Sequence, residues 1–121
     1  MNALHIAAFL AMLLSVAGAN AFDPLVEKAA QSYQERGGRV VRAETLPGKP
    51  ITIVDLHRLP ITDADLAPLS GMTELQVLDL SYTKITNEAL RYIAKLPKLK
   101  HLSLYGTMIG DDGLKHLAEL R

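Results

Sequence analysis

The segments LQVLDLSYTKITNEAL (residues 75–90) and LKHLSLYGTMIGDDGL (residues 99–114) decide the fold of this chain. They place leucine, threonine and isoleucine at equivalent positions with a 24-residue period. A third, less regular copy lies one period earlier, with apolar residues at Ile51, Val54, Leu56 and Ile61. A fixed period of this length indicates stacked units sharing one core, because no unit buries its apolar face alone.

Within each repeat the apolar spacing changes from that of a strand to that of a helix. Leu78 and Leu80 alternate as on a strand, whereas Leu90 and Ile93 have the spacing of one helix face. Thr86 precedes that helix and can cap its free N–H groups. Each repeat is therefore predicted to be a strand, a turn and a helix.

The first repeat should have an irregular helix. Pro68 lies within the helical segment and removes a backbone donor there, which predicts a short or distorted helix. Thr62 with Asp65 three positions later resembles a capping box. In the third repeat, Gly110 or Asp111 must serve as the cap.

Residues 22–50 are predicted to form an amino-terminal cap over the first repeat. Asp23 is a candidate N-cap with Pro24 at the first helical position, and Gly37 can end the helix in a left-handed conformation. The expected apolar face comprises Leu25, Val26, Ala29, Ala30 and Tyr33. Residues 39–44 are predicted to form a strand that turns back through residues 47–50.

Residues 1–21 have the features of a secretory signal peptide. The stretch from Ile6 to Gly18 carries no charge, and Ala19-Asn20-Ala21 fits a small-x-small cleavage site. This predicts cleavage after Ala21 and export to the periplasm, cell envelope or extracellular space. The alternative is an uncleaved amino-terminal anchor, the only predicted contact with a membrane.

Composition limits the other possibilities. The chain has 121 residues, enough for one domain, with zero formal net charge and no cysteine. Neutrality gives no general attraction to nucleic acid, and the missing cysteines exclude a disulfide framework and a thiolate nucleophile. We find no hydrolase or phosphate-binding motif, so we predict no enzyme activity, no catalytic residue and no cofactor.

These repeats resemble leucine-rich repeats. The pattern L-x-x-L-x-L-x-x-T-x-I is similar to the 24-residue class in which threonine replaces the usual asparagine or cysteine, as in GALA-type and secreted bacterial proteins. Leu59 departs from the threonine position and Gly110 from the threonine after isoleucine. The resemblance implies an α/β solenoid with a parallel sheet on its concave side and helices on its convex side. The predicted repeats are residues 51–74, 75–98 and 99–121.

The resemblance also implies protein binding as the usual role and no reaction. Side chains between the inward leucines should lie on the concave face, where equivalent positions form columns about 4.8 Å apart. Tyr82 and Tyr105 are amphipathic residues of the kind enriched at interface hot spots. The candidate binding residues for a protein or peptide are Asp55, His57, Arg58, Asp79, Tyr82, His101 and Tyr105. The alternative is that these are ordinary solvated strand positions.

Asp55 and Asp79 occupy one column, where two like charges should raise one carboxyl pKa unless a cation lies between them. Arg58, His57 or Lys100 can supply that cation. His57, Asp79 and His101 lie on a diagonal that invites a zinc hypothesis. Their positions fall in different columns, so we predict no metal site.

The carboxyl-terminal end of the predicted stack has no cap. Leu114, Leu117 and Leu120 belong to the third helix pattern, and no polar segment follows them. Three explanations are open: a fragment of a longer solenoid, end-to-end association with another chain, and a monomer that tolerates the open end. The function expected is thus a non-catalytic exported module for protein interaction. The alternatives are a truncated fragment without independent activity and, less favoured, an F-box-type substrate adaptor.

Overall fold

The computed structural model describes residues 23–117, with side chains up to Lys115. It is a mixed α/β structure with one four-stranded sheet in the order β1-β2-β3-β4. The strands are β1 Arg39–Arg42, β2 Ile51–Asp55, β3 Val77–Asp79 and β4 His101–Ser103. The helices are α1 Pro24–Glu35, α2 Leu90–Ile93 and α3 Asp111–Leu117, with 3₁₀ segments at Asp63–Gly71 and Asn87–Ala89.

The repeat period sets the register of the sheet. β2, β3 and β4 are parallel, and Val54 pairs with Leu78, which pairs with Leu102. These three residues stand one repeat apart, as the sequence pattern requires. Val54 and Leu78 are fully buried, because successive strand residues point to opposite faces and these face the helical layer. β1 adds to the other side of β2 in antiparallel orientation.

The helical layer becomes more regular along the chain. The first repeat has only a 3₁₀ segment, Asp63–Gly71, and contains Pro68, which confirms the predicted distortion. The second begins as a 3₁₀ turn and continues as the four-residue helix α2. Its cap is confirmed, because the Thr86 hydroxyl accepts from the Glu88 N–H at 3.3 Å. In the first repeat the Asp65 carboxylate accepts from the Thr62 N–H at 3.0 Å, as the predicted capping box requires.

The helix α1 begins and ends where the sequence predicts. Asp23 accepts from the Leu25 N–H at 2.9 Å, and Gly37 follows the helix with a φ of 99°. The predicted apolar face was wrong for Leu25, which is 71% exposed. The buried stripe is Val26, Ala29, Ala30 and Tyr33. Its i, i+3, i+4, i+7 spacing leaves Leu25 about a quarter turn from the centre of the contact.

Polar contacts join α1 to the first repeat and to β1. The buried Tyr33 hydroxyl donates to the Asp65 carbonyl at 2.6 Å, and burial raises the pKa of this phenol. Arg36 forms an ion pair with the Asp65 carboxylate at 3.1 Å. On the other side, Arg42 contacts Glu27 at 2.6 Å. The amino-terminal segment is therefore fixed against the end of the stack.

A second ladder of hydrogen bonds joins the repeats away from the sheet. The Asp63 carboxylate accepts from the Thr86 N–H at 2.7 Å. One period later, the Asn87 side-chain oxygen accepts from the Gly110 N–H at 2.9 Å. α3 begins directly after Gly110, so this glycine occupies the capping position expected for the third repeat. Asp63 and Asn87 each follow an Ile-Thr pair, and each accepts a hydrogen bond from the next repeat.

Part of the predicted organisation lies outside the described residues. The predicted signal peptide, residues 1–21, precedes residues 23–117, and Leu120 follows them. Among the described residues, none of the helices has the length and apolar content to span a membrane.

The threonine of the repeat closes the turn after each regular strand. The hydroxyls of Thr83 and Thr107 donate to the carbonyls of Leu80 and Leu104, both at 2.7 Å. Leu59 stands one period before Thr83 and lacks the hydroxyl, so its turn keeps only a backbone bond to Leu56 at 3.2 Å. The backbone bond explains how the first repeat keeps its turn although it lacks the threonine of the pattern.

Thr83 and Thr107 make a matched pair for testing the value of this bond. Thr83 is 4% exposed, whereas Thr107 is half-buried. We expect Thr83→Val to lower the free energy of unfolding by about 1 kcal/mol. Thr107→Val should cost less, because water can replace the lost hydroxyl there. Urea denaturation of both variants measures the difference, and equal losses would contradict this account.

Candidate functional site

The three repeats turn sharply at equivalent positions after their strands. Arg58, Tyr82 and Gly106 have φ values of 61°, 57° and 72°, all in the left-handed region. This conformation is uncommon for residues other than glycine. The turns are held by the neighbouring repeat, since the Arg58 N–H donates to the Ser81 carbonyl at 2.9 Å and the Tyr82 N–H to the Tyr105 carbonyl at 2.8 Å.

Arg58, Tyr82 and Tyr105 form one continuous group, which we name the aromatic patch. The rings of Tyr82 and Tyr105 are 5.4 Å apart between centroids and meet edge to face at 81°. The Arg58 guanidinium carbon lies 5.1 Å from the centre of the Tyr82 ring, within cation–π distance. Tyr82 is 49% and Tyr105 72% exposed. The patch is therefore ordered by its own contacts and open to solvent.

Gly106 makes room for this arrangement. A Cβ atom at Gly106 would lie 2.6 Å from Cδ1 of Tyr82, closer than real side chains approach. The third repeat thus lacks a side chain at the position of Arg58 and Tyr82, and the Tyr82 ring occupies the space. The regular spacing of Arg58, Tyr82 and Gly106 is a signal for this turn, although the sequence alone does not show the ring contact.

Beside the patch, Asp55, His57 and Asp79 come together at the ends of β2 and β3. His57 Nδ1 lies 2.6 Å from the Asp55 carboxylate, which also accepts from the His57 N–H at 3.1 Å. Asp79 is the register partner of Asp55 and accepts from the Ser81 N–H at 2.9 Å and from the Ser81 hydroxyl. Each aspartate thus closes the turn two residues after it.

When protonated, His57 supplies the cation that the aspartate column requires. The hydrogen bond and charge of Asp55, with the charge of Asp79, raise the pKa of His57 despite some desolvation and the opposing charge of Arg58. Partial burial acts to raise the pKa of Asp55, but the hydrogen bonds and charge of His57 and the charge of Arg39 lower it overall. The pKa of Asp55 is thus lowered where a neighbouring cation is present, as the conditional expectation for this column allows.

His57, Asp79 and His101, the three residues of the zinc hypothesis, do not converge on one point. His101 is exposed on β4 and pairs with Val77, away from the Asp79–Ser103 pair along the strand. The groups that do converge are Asp55, His57 and Asp79, whose candidate ligand atoms lie within 4.8 Å of one another. Their hydrogen bonds to His57 and Ser81 already account for this arrangement, and we propose no metal site.

Ser81 shares the neighbourhood of Asp79 with the His57 imidazole, whose ligand atom lies within 4.8 Å of that carboxylate. His57 stands one repeat before Ser81 in the sequence. The Ser81 hydroxyl donates to Asp79, whereas His57 Nδ1 is engaged by Asp55. Among the described contacts, no hydrogen bond joins Ser81 to His57, so a nucleophile–base pair is not assembled there.

Comparison with known families supports the repeat interpretation. Residues 71–94 and 95–118 each match the family model described as Leucine Rich repeat. The two matches follow one another directly and have the length of the period read from the sequence. Residues 71–118 therefore consist of leucine-rich repeats, as the sequence pattern predicted, while the threonine-type subclass stays a prediction. Neither a curated protein nor a solved structure matches the chain.

The Asp55–His57 pair predicts a measurable pH dependence. Because the folded pKa of His57 is raised, the stabilisation by this pair is present below the unfolded pKa and is lost as pH rises through the folded value. Because the folded pKa of Asp55 is lowered, the stabilisation is also lost as pH falls through that value. The ion pair should therefore stabilise the fold between these two pKa values.

NMR titration of the imidazole tests this assignment directly. We expect Asp55→Asn to lower the pKa of His57, because it removes the hydrogen-bonded carboxylate. Asp79→Asn should lower it less, since Asp79 acts through its charge alone, and the distant Asp112→Asn should leave it unchanged. A His57 pKa that does not respond to Asp55→Asn would contradict the geometry of the pair.

Proposed function

We propose that this chain is an exported, non-catalytic leucine-rich-repeat module that binds a protein or peptide. Its short solenoid would present the exposed, concave face of the sheet to the partner. Leucine-rich repeats are typical interaction modules, and two matches to the family model support this class of function. The single observation that carries the proposal is the aromatic patch of Arg58, Tyr82 and Tyr105.

The patch has the physical properties of an interface anchor. Tyrosine and arginine are enriched among residues that dominate binding energy, and ordering such side chains beforehand lowers the entropy lost on binding. Here the edge-to-face contact, the cation–π contact and the bonded Tyr82 turn supply that order. Asp55, His57 and Asp79 lie beside the patch and would contribute polar contacts at its border. His101 is exposed on the adjacent strand.

The proposed partner is a polypeptide rather than a nucleic acid. The carboxylates of Asp55 and Asp79 lie beside the aromatic pair together with the cationic Arg58, so this surface lacks the cluster of positive charge that binds a phosphate backbone. A partner surface offering an apolar side chain between polar groups would fit the patch. The fragment and F-box alternatives stay predictions, and no specific contact favours either.

Selection of peptide ligands tests the patch as a binding surface. A displayed library of random peptides is panned on the purified chain, and each enriched peptide is then measured by calorimetry. We expect Tyr82→Ala combined with Tyr105→Ala to weaken these peptides about tenfold or more, the usual effect of losing hot-spot anchors.

Leu25→Ala is the matched control, because Leu25 is also an exposed apolar residue but lies on α1, away from the patch. It should leave the affinities unchanged. Equal weakening by Leu25→Ala and the tyrosine double variant would argue against the patch. Circular dichroism confirms that each variant keeps its fold.

Export generates a separate expected outcome. The apolar stretch from Ile6 to Gly18 followed by Ala19-Asn20-Ala21 supports cleavage after Ala21. Mass spectrometry of the protein recovered from the source cells should find an amino terminus at Phe22. A terminus at Met1, with the protein in the cytosolic fraction, would overturn this part of the proposal.

A further inference from the structure

The free edge of β4 presents the same backbone groups that join the repeats internally. Leu80 and Tyr82 donate their N–H groups to Ser103 and Tyr105 at 2.9 and 2.8 Å. Their equivalents one repeat later are Leu104 and Gly106, and within residues 23–117 no backbone acceptor is found for the N–H groups of these two. A strand edge with unpaired donors and acceptors is a template for another strand.

Apolar side chains at this end of the stack are also incompletely covered. Leu78, Leu80 and Ile85 are buried, whereas their equivalents Leu102, Leu104 and Ile109 are only partly so. Leu114 and Met108 are 49% and 64% exposed. Every repeat contributes the same inward residues, so the uncovered area follows from position at the end of the described stack rather than from a change in sequence.

The opposite edge of the sheet carries features that discourage pairing. β1 has arginines at both ends, Arg39 and Arg42, and its register with β2 shifts between Val41 and Arg42. Charged residues and bulges are the usual protection of an edge strand. β4 has the sequence His-Leu-Ser, with no acidic, lysine or arginine residue. Its register with β3 has no shift.

We propose that β4 pairs with β4 of a second copy of this chain, antiparallel about a two-fold axis at Ser103. The parallel ladder turns the backbone groups of His101, Ser103 and Tyr105 toward β3, which leaves those of Leu102 and Leu104 at the free edge. In the two-fold register, Leu102 of one copy lies opposite Leu104 of the other. These two residues would exchange both of their backbone hydrogen bonds.

The side chains in this register are self-complementary. Leu102 and Leu104 face the core, so their pairing would cover the incompletely buried leucines of both copies. On the exposed face, His101 would lie opposite Tyr105, and Ser103 opposite its own copy. Lys100 would lie opposite Gly106. No like charges face each other, which is what cross-strand pairing requires. A two-fold pair uses both β4 edges and leaves only the β1 edges, which the arginines and the register shift protect.

This surface is distinct from the aromatic patch apart from Tyr105, and the proposal does not depend on peptide binding there. The chain contains no cysteine, so a single introduced thiol reports on the register. Opposed residues in a non-hydrogen-bonded antiparallel pair have Cα atoms about 4.5 Å apart, within the range of a disulfide. Ser103→Cys should therefore form a disulfide-linked dimer under mild oxidation.

Ser70→Cys is the matched control, because Ser70 is an exposed serine on the first 3₁₀ segment, far from β4. It should remain mostly monomeric under the same conditions, read by non-reducing electrophoresis. Failure of Ser103→Cys to cross-link, or equal cross-linking of both variants, would overturn the register.

Sedimentation equilibrium of the cysteine-free chain tests the association itself. We expect a reversible monomer–dimer equilibrium, and Ser103→Lys should raise its dissociation constant about fivefold or more by opposing two like charges. Ser103→Thr, which adds no charge, should keep the dimer. A chain that stays monomeric at every concentration, or a dimer that Ser103→Lys leaves unchanged, would overturn the proposal.

Discussion

The in-register stacking of three parallel strands is the constraint on which the rest of the structure depends. Val54, Leu78 and Leu102 lie beside one another because they occupy the same position in consecutive repeats. Side chains alternate between faces along a strand, so a slip of one residue would expose every inward leucine. The apolar pattern therefore fixes which side chains lie inside, and it also decides which polar residues become neighbours on the other face.

The left-handed turns convert this register into a surface. Arg58 and Tyr82 adopt a backbone conformation that costs residues with side chains roughly 1–3 kcal/mol. It persists because each of these N–H groups bonds to a carbonyl of the next repeat. The same turns bring Arg58 against Tyr82 and Tyr82 against Tyr105. The proposed recognition surface is thus built from strained positions that neighbouring repeats hold in place.

Much of the architecture was predictable from local patterns, whereas the candidate site was only partly so. The helix caps at Asp23 and Thr86 follow from the chemistry of single residues, as does the 3₁₀ segment around Pro68 in the first repeat. Columns of equivalent residues paired Asp55 with Asp79, but they did not show that His57 turns back to its own Asp55. That choice depends on side-chain torsions within each turn, which a repeat pattern does not specify. The space that one repeat leaves for a ring of the previous one is likewise a contact that only coordinates reveal.

A repeat architecture makes its two ends chemically different from its middle. Each unit offers donors and apolar side chains to the next, so the last described unit necessarily presents groups that an identical neighbour would satisfy. At the first repeat, α1 and β1 meet this demand through buried residues such as Tyr33 and the ion pair of Arg42 with Glu27. At β4, the backbone N–H groups of Leu104 and Gly106 have no backbone acceptor and the leucines are only partly buried, within the described residues. Because the unpaired groups there repeat those used inside the stack, strand pairing satisfies the backbone and the leucines together, which an unrelated apolar contact would not do.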